Sequence, residues 1–208
     1  MNPTTSCSTS RRRRFCLFCL APLLFLGLII GGWMLYGIHV QYRLGTVSEN
    51  QVYKSATMPP AAMAALAQRL HLRSVIDLRT TQEGQDSTNT SPGEDIVSEA
   101  TALAAVGVKH IHLPSAQVPD QATVDRFLTL IRDPAHRPTL IHCYHGIGRT
   151  ELFCALYRIE CEGWNPEDAR LATRFIVAGS SFSANADKGR FLKEYRPQRL
   201  VAAVPPKP

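Results

Sequence analysis

Two kinds of hydrophobic pattern divide this chain. From residue 15 to residue 38 runs an apolar stretch of 24 residues without a charge. Beyond residue 50 the apolar positions gather instead in short blocks separated by polar turns. Alanine and leucine at helical spacing behind Pro59 and Pro60 predict a helix over 60–70. The β-branched block 74–78 predicts a strand. Residues 94–106 read as a helix, 108–113 as a strand, 121–132 as a helix and 139–142 as a strand. A further helix begins at Arg149, and 166–177 and 187–195 read as packing helices. Strands alternating with helices of 10 to 15 residues predict an α/β fold: a mostly parallel central sheet flanked by helices. Ligands of such sheets bind beyond the carboxyl ends of the strands.

The apolar run is long enough to cross a hydrocarbon layer of about 30 Å, so one transmembrane helix is expected ahead of the domain. Trp33 and Tyr36 suit an interfacial belt at its outer end. Arg11, Arg12, Arg13 and Arg14 lie directly before it. They predict a cytoplasmic tail (1–14), an anchor (15–38) and a folded domain on the outer, periplasmic or extracytoplasmic side. A cleaved signal peptide is the alternative, against which stand the length of the run and the lack of an Ala-x-Ala site. A polar linker (39–50), the domain (51–198) and an extended Pro-rich tail (199–208) complete the expected organisation. Residues 80–93, rich in Thr, Ser, Gln, Asn and Gly, read as a long loop, either disordered or a flap facing substrate.

The net charge of +6 describes the N-terminus and not the domain, because residues 44–208 hold 18 basic and 17 acidic side chains. No nucleic-acid-binding face is expected from that balance. Six cysteines make no disulfide framework: Cys7, Cys16 and Cys19 precede the domain. Cys154 and Cys161 lie seven residues apart on one predicted helix, about 10.5 Å along its axis, too far to bridge.

The densest chemistry lies at His142-Cys143-Tyr144-His145-Gly146-Ile147-Gly148-Arg149-Thr150. A cysteine ends a strand, two glycines follow, and an arginine six positions on opens a helix. Backbone N–H groups of a tight loop and a helix N-terminus converge on an anion. The same field favours a thiolate over a thiol, and arginine offers a planar fork matching two phosphoryl oxygens. A nucleotide-binding P-loop is excluded, since no Gly-Lys-Ser/Thr follows the glycines. A merely structural cysteine at a strand–helix turn is the bland alternative. The loop 144–148 and Arg149 are expected to bind phosphate, with Tyr144, His145 and Ile147 giving backbone and Gly146 and Gly148 permitting positive φ and close approach.

This segment resembles the His-Cys-x5-Arg-Ser/Thr signature of the cysteine-dependent protein tyrosine and dual-specificity phosphatases, in their small dual-specificity-like branch. Val52-Tyr53-Lys54-Ser55-Ala56 resembles the first core strand of compact members, Val75-Ile76-Asp77-Leu78-Arg79 their second, and Gly163-Trp164-Asn165-Pro166-Glu167-Asp168-Ala169 the turn after the signature helix. The resemblance covers roughly residues 50–196. It implies that Cys143 attacks phosphorus to form a phosphocysteine, that Arg149 clamps the phosphoryl group, that Thr150 places a hydroxyl near the sulfur, and that His142 braces the loop. No metal or cofactor is implied.

The family carries its general acid, an Asp, on a loop about 30 residues before the cysteine. Here Asp120 lies 23 residues before it and reads equally as acid or as the N-cap of the helix that follows. Glu151 is the second candidate. Asp77 and Arg79 are expected to form a structural ion pair. The expected partner is a phosphorylated protein or a small phosphomonoester, with the membrane contacted through 15–38. The expected function is hydrolysis of phosphotyrosine, with phosphoserine and phosphothreonine as further substrates. An inositol-phosphate or phosphoinositide phosphatase and a slow phosphate-binding pseudophosphatase are the alternatives.

Overall fold

The computed structural model describes residues 25–32, 36, 41–80 and 93–198. Most of the expected anchor, the loop at 81–92, the cytoplasmic tail and the Pro-rich tail lie outside the described residues. No helix among the described residues is long and apolar enough to cross a membrane. Residues 1–42 and 43–208 form two compact units, and the second contains the site.

Five strands build its sheet: β1 (Gly45–Ser48), β2 (Val52–Ala56), β3 (Ser74–Asp77), β4 (Lys109–His112) and β5 (Thr139–Cys143). Their order is β1-β2-β5-β3-β4. β1 and β2 pair antiparallel, and the other three ladders are parallel. The sheet is therefore mixed, largely parallel as expected, with an antiparallel edge. β1 corrects the linker reading of 39–50, since Gly45–Ser48 is an edge strand that turns into β2 at Asn50 (φ 54°).

β5 is the last strand in sequence and the middle one in space. Every residue of it is buried, as two-sided coverage of a parallel sheet requires. Its register sets Cys143 beside Ala56 of β2 and His142 beside Asp77 of β3. The nucleophile candidate thus sits at the carboxyl edge in the centre of the sheet.

The helices are α1 (Pro60–Arg69), α2 (Glu94–Ala105), α3 (Gln121–Arg132), α4 (Arg149–Cys161), α5 (Pro166–Leu171) and α6 (Asp187–Glu194). Proline at N1 opens α1, and Met63, Leu66 and Ala67 give its buried face. α3 buries Val124, Phe127, Leu128 and Ile131, a stripe at i, i+3, i+4 and i+7. Eleven of the thirteen residues of α4 are buried, which makes it the core helix, and Phe153 meets Phe127 of α3 edge to face with centroids 4.9 Å apart.

The helix expected over 166–177 stops at Leu171. The Thr173 hydroxyl turns back onto the Arg170 carbonyl, and Phe175 and Ile176 stand in solvent. At the far end, Glu160 accepts from Arg132, the Tyr195 hydroxyl and the Gln198 N–H, which ties the end of the domain to α4.

Candidate active site

The Cys143 side chain is buried at the floor of a cleft of about 190 Å³, together with Gln117, His145, Ile147, Gly148, Arg149, Arg174, Ser181 and Lys188. The Thr150 hydroxyl donates to its sulfur at 3.0 Å. A hydroxyl there stabilises negative charge on sulfur, whether the thiolate is attacking or leaving. The Arg149 Nη1 donates to the Leu78 carbonyl at 2.8 Å and the Ser115 carbonyl at 3.3 Å. Two carbonyls from different strand ends thus fix the plane of the guanidinium.

The loop between Cys143 and Arg149 is laid against the end of β2. The Thr57 N–H donates to the Tyr144 carbonyl. Gly146 has φ +67°, and a Cβ there would lie 2.7 Å from the Ser55 oxygen and the Ala56 nitrogen. Any larger residue would push the loop off the strand. Gly148 differs from expectation: its φ is −110°. Its small size matters for space, since a Cβ would come within 3.3 Å of the Gln117 Oε1. Tyr144 and His145 pack edge to face at 4.8 Å on the exposed rim.

His142 is fully buried and does not bond the loop. Its Nε2 lies 2.8 Å from the Glu99 Oε1 on α2. Behind it, Arg79 forks onto the Asp77 carboxylate and reaches Glu99, Asp95 and the Thr57 hydroxyl. The structural reading of Asp77 and Arg79 fits this geometry. Asp77, Glu99 and His110 bring ligand atoms within 4.8 Å of one another, the spacing of a metal site. The Arg79 guanidinium already bridges both carboxylates there, so the place of a cation is taken.

This cluster makes stability depend on pH. Burial alone would lower the His110 pKa, yet the Asp77 and Glu99 carboxylates, each 3.4 Å from its Nε2, raise it to about 9. Burial would raise the carboxyl of Glu99, but His110, His142 and Arg79 bring it down to about 2 and hold Asp77 well below the usual range. A raised histidine stabilises fully below its unfolded pKa of about 6.5 and ceases to do so as pH climbs through 9. The depressed Glu99 stabilises above about 4.5 and ceases to do so as pH falls through 2. Stability should therefore peak between these two limits. It should fall by roughly 2–3 kcal/mol from pH 6.5 to 10 through His110. Urea midpoints measured across that range should show the fall, and His110→Gln should flatten it. An equal slope in that variant would place the titrating group elsewhere.

Asp120, expected as acid or cap, is exposed, and its carboxylate accepts the Thr123 N–H at 2.8 Å as the N-cap of α3. Hydrogen bonding from the Thr123 side chain and backbone holds its pKa low. It does not line the cleft. Glu151 is buried and paired with Lys54 on β2. The cleft residues that sequence reasoning did not assign are Gln117, Arg174, Ser181 and Lys188. Arg174 donates to the Ile147 carbonyl at 2.8 Å, so a cation after α5 holds the signature loop from outside.

A family model described as "DSP-PTPase phosphatase fused to NAD+ Kinase" matches residues 42–188. The chain belongs to this DSP-PTPase family. A curated relative, the dual specificity protein phosphatase TpbA of Pseudomonas aeruginosa, is 30% identical over 118 residues, 57% of this chain and 47% of the relative. The chain spans about half the length of the curated relatives it matches. The crystal structure of P. aeruginosa TpbA superposes with a TM-score of 0.56 at 26% identity, covering 75% of this chain and 86% of that one. The catalytic core of the PP-IP phosphatase SIW14 from S. cerevisiae, crystallised with citrate, gives 0.56 at 21% identity over 74% and 85%. The latter likeness shows a shared fold. Within the DSP-PTPase frame, Cys143, Arg149 and Thr150 occupy one cradle, while His142 faces away from it into the Arg79 cluster.

Proposed function

We propose that this DSP-PTPase chain hydrolyses phosphomonoesters through a phosphocysteine intermediate, with phosphotyrosine as the substrate. The observation that carries this reading is the Cys143 sulfur at the cleft floor, with the Thr150 hydroxyl at 3.0 Å and Arg149 lining the same cleft. The loop amides and Arg149 hold the three non-bridging oxygens. The thiolate attacks phosphorus in line with the departing oxygen, and water then hydrolyses the S–P bond. Thr150 stabilises the thiolate as it leaves. A TpbA variant, 26% identical to this chain with a TM-score of 0.52, has been crystallised in complex with phosphotyrosine, which supports the phosphotyrosine choice.

A second reading, an inositol-phosphate phosphatase, draws support from one feature. Arg149, Arg174 and Lys188 all line the cleft, and among the described residues no carboxylate does. Such a lining suits a substrate with more than one phosphate. The purified chain assayed on phosphotyrosine, phosphoserine and phosphothreonine peptides, inositol phosphates and an aryl phosphate separates the two. Phosphotyrosine peptides should give the highest kcat/KM. A preference of tenfold or more for an inositol polyphosphate would replace the first reading with the second, and binding without turnover on every compound would indicate a pseudophosphatase.

A further inference from the structure

Cleavage at phosphorus leaves an alkoxide or phenolate that needs a proton, and neither carboxylate expected to give it lines the cleft. Asp120 caps α3, and Glu151 is paired with Lys54. What occupies the cleft instead is a lysine–glutamine pair. Lys188, the second residue of α6, donates from Nζ to the Gln117 Oε1 at 2.7 Å. Gln117 belongs to the loop between β4 and α3, the part of the chain where related phosphatases were expected to carry an acid. A Cβ on Gly148 would lie 3.8 Å from the Lys188 Nζ and 3.3 Å from the Gln117 Oε1, so the pair stands directly against the signature loop. Lys188 is only 8% exposed. The charged or titratable groups facing it are Arg149 on α4, Cys143 at the end of β5, Arg174 after α5 and its neighbour Asp187. Gly189 fixes this placement, because a Cβ there would lie 1.8 Å from the Ser183 carbonyl oxygen. Only glycine lets α6 seat closely enough to carry Lys188 into the cleft.

From this geometry we infer that Lys188 is the proton donor to the leaving oxygen and that Gln117 is the residue positioning it. The inference rests on the phosphatase reading above. In the first step the Cys143 sulfur forms the S–P bond as the P–O bond to the leaving group breaks. An ammonium proton of Lys188 passes to that oxygen, releasing the neutral alcohol and leaving a neutral amine. In the second step the amine takes a proton from the attacking water, and the S–P bond breaks with its electron pair returning to sulfur. Inorganic phosphate departs, and the ammonium and thiolate are restored. Burial and the neighbouring Arg149 lower the Lys188 pKa, the direction that improves an ammonium as an acid near neutrality. His145, another proton carrier lining the cleft, is exposed and packs on Tyr144 at the rim.

The test is the dependence of rate on the leaving group. kcat/KM is measured for nitrophenyl phosphate, phenyl phosphate and an alkyl phosphate with the wild-type chain, Lys188→Met and Lys188→Arg. Lys188→Met should lose on the order of 100-fold or more on the alkyl ester and no more than about tenfold on the nitrophenyl ester, whose leaving group needs little protonation. Lys188→Arg keeps the positive charge but is far too weak an acid, so it should not restore alkyl hydrolysis. Restoration by arginine would overturn the inference and make Lys188 a holder of anionic oxygen. Equal loss on all three esters in Lys188→Met would overturn it as well. Should Lys188→Met melt early, Gln117→Leu leaves the lysine in place but unheld, and it should show the same leaving-group bias at smaller amplitude. A uniform loss there counts against the inference too. Failure of the wild-type chain to hydrolyse even the nitrophenyl ester would instead remove the phosphatase reading, and the role of Lys188 with it.

Discussion

Cys143→Ser should reduce turnover by on the order of 10⁴-fold or more while leaving binding of phosphate or vanadate largely intact. A serine hydroxyl is a poor nucleophile unless an adjacent base takes its proton. The nearest partner here, Thr150, is itself a hydroxyl that donates to the sulfur at 3.0 Å. Among the described residues no carboxylate lines the cleft to serve as that base. The anion cradle does not depend on the sulfur: the bond from Thr57 to the Tyr144 carbonyl, the contact of Gly146 with β2 and the grip of Arg174 on Ile147 all remain. Single-turnover kinetics should show no phosphoenzyme, and vanadate titration should give a similar Kd. A variant keeping a tenth of wild-type turnover would remove Cys143 from the nucleophilic role. Loss of vanadate binding together with turnover would mean that the cradle itself had collapsed.

Arg149→Lys should lower kcat by about a hundredfold or more, with a smaller change in KM. The guanidinium is oriented by the Leu78 and Ser115 carbonyls, so its planar fork is set before substrate arrives. Lysine keeps the charge, but as a point on a flexible stem it cannot span two oxygens. The transition state spreads charge over the equatorial oxygens and feels that loss more than the ground state does. Because Arg149 is buried, the variant also forfeits hydrogen bonds to two carbonyls, at about 1 kcal/mol each. A melting temperature recorded beside the kinetics separates that loss from the catalytic one. Near-normal kcat in a folded variant would mean that the loop amides alone hold the phosphoryl group.

The parallel core was legible because short apolar centres, Val75-Ile76 in β3 and Leu140-Ile141 in β5, alternate with helices that carry regular stripes. β1 was not: Gly45-Thr46-Val47-Ser48 has a single apolar side chain, and its pairing with β2 is a backbone affair at the sheet edge. The helix over 166–177 was read too long because Phe175, Ile176 and Val177 continue the apolar pattern, while the Thr173 turn and solvent exposure stop it at Leu171. Within the site, the residues local to the signature could be seen together, since six positions of chain confine them to one loop and one helix end. Gln117, Arg174 and Lys188 come from three other segments, and no spacing in sequence joins them. One signal for Lys188 was available. Gly189 lies inside a helical pattern, where an isolated glycine has a packing reason. The partner of His142 was hidden in another way, because Glu99 looks like any solvent-facing acid on α2 until the fold turns it inward at 1% exposure.

The cluster of Asp77, Arg79, Glu99, His110 and His142 lies immediately behind the cradle, and Arg149 is hung from the Leu78 carbonyl, between Asp77 and Arg79 in the chain. Mutational tolerance should follow from that shared backbone. In a survey scored by loss of hydrolysis alone, changes at Glu99 or Arg79 would rank beside those at Cys143, although neither side chain meets substrate. Removing one member leaves a buried charge uncompensated, which is strongly destabilising. The two classes part company once abundance is scored in parallel: Cys143 variants accumulate to wild-type levels and fail to turn over, whereas cluster variants are depleted before their chemistry is ever assayed.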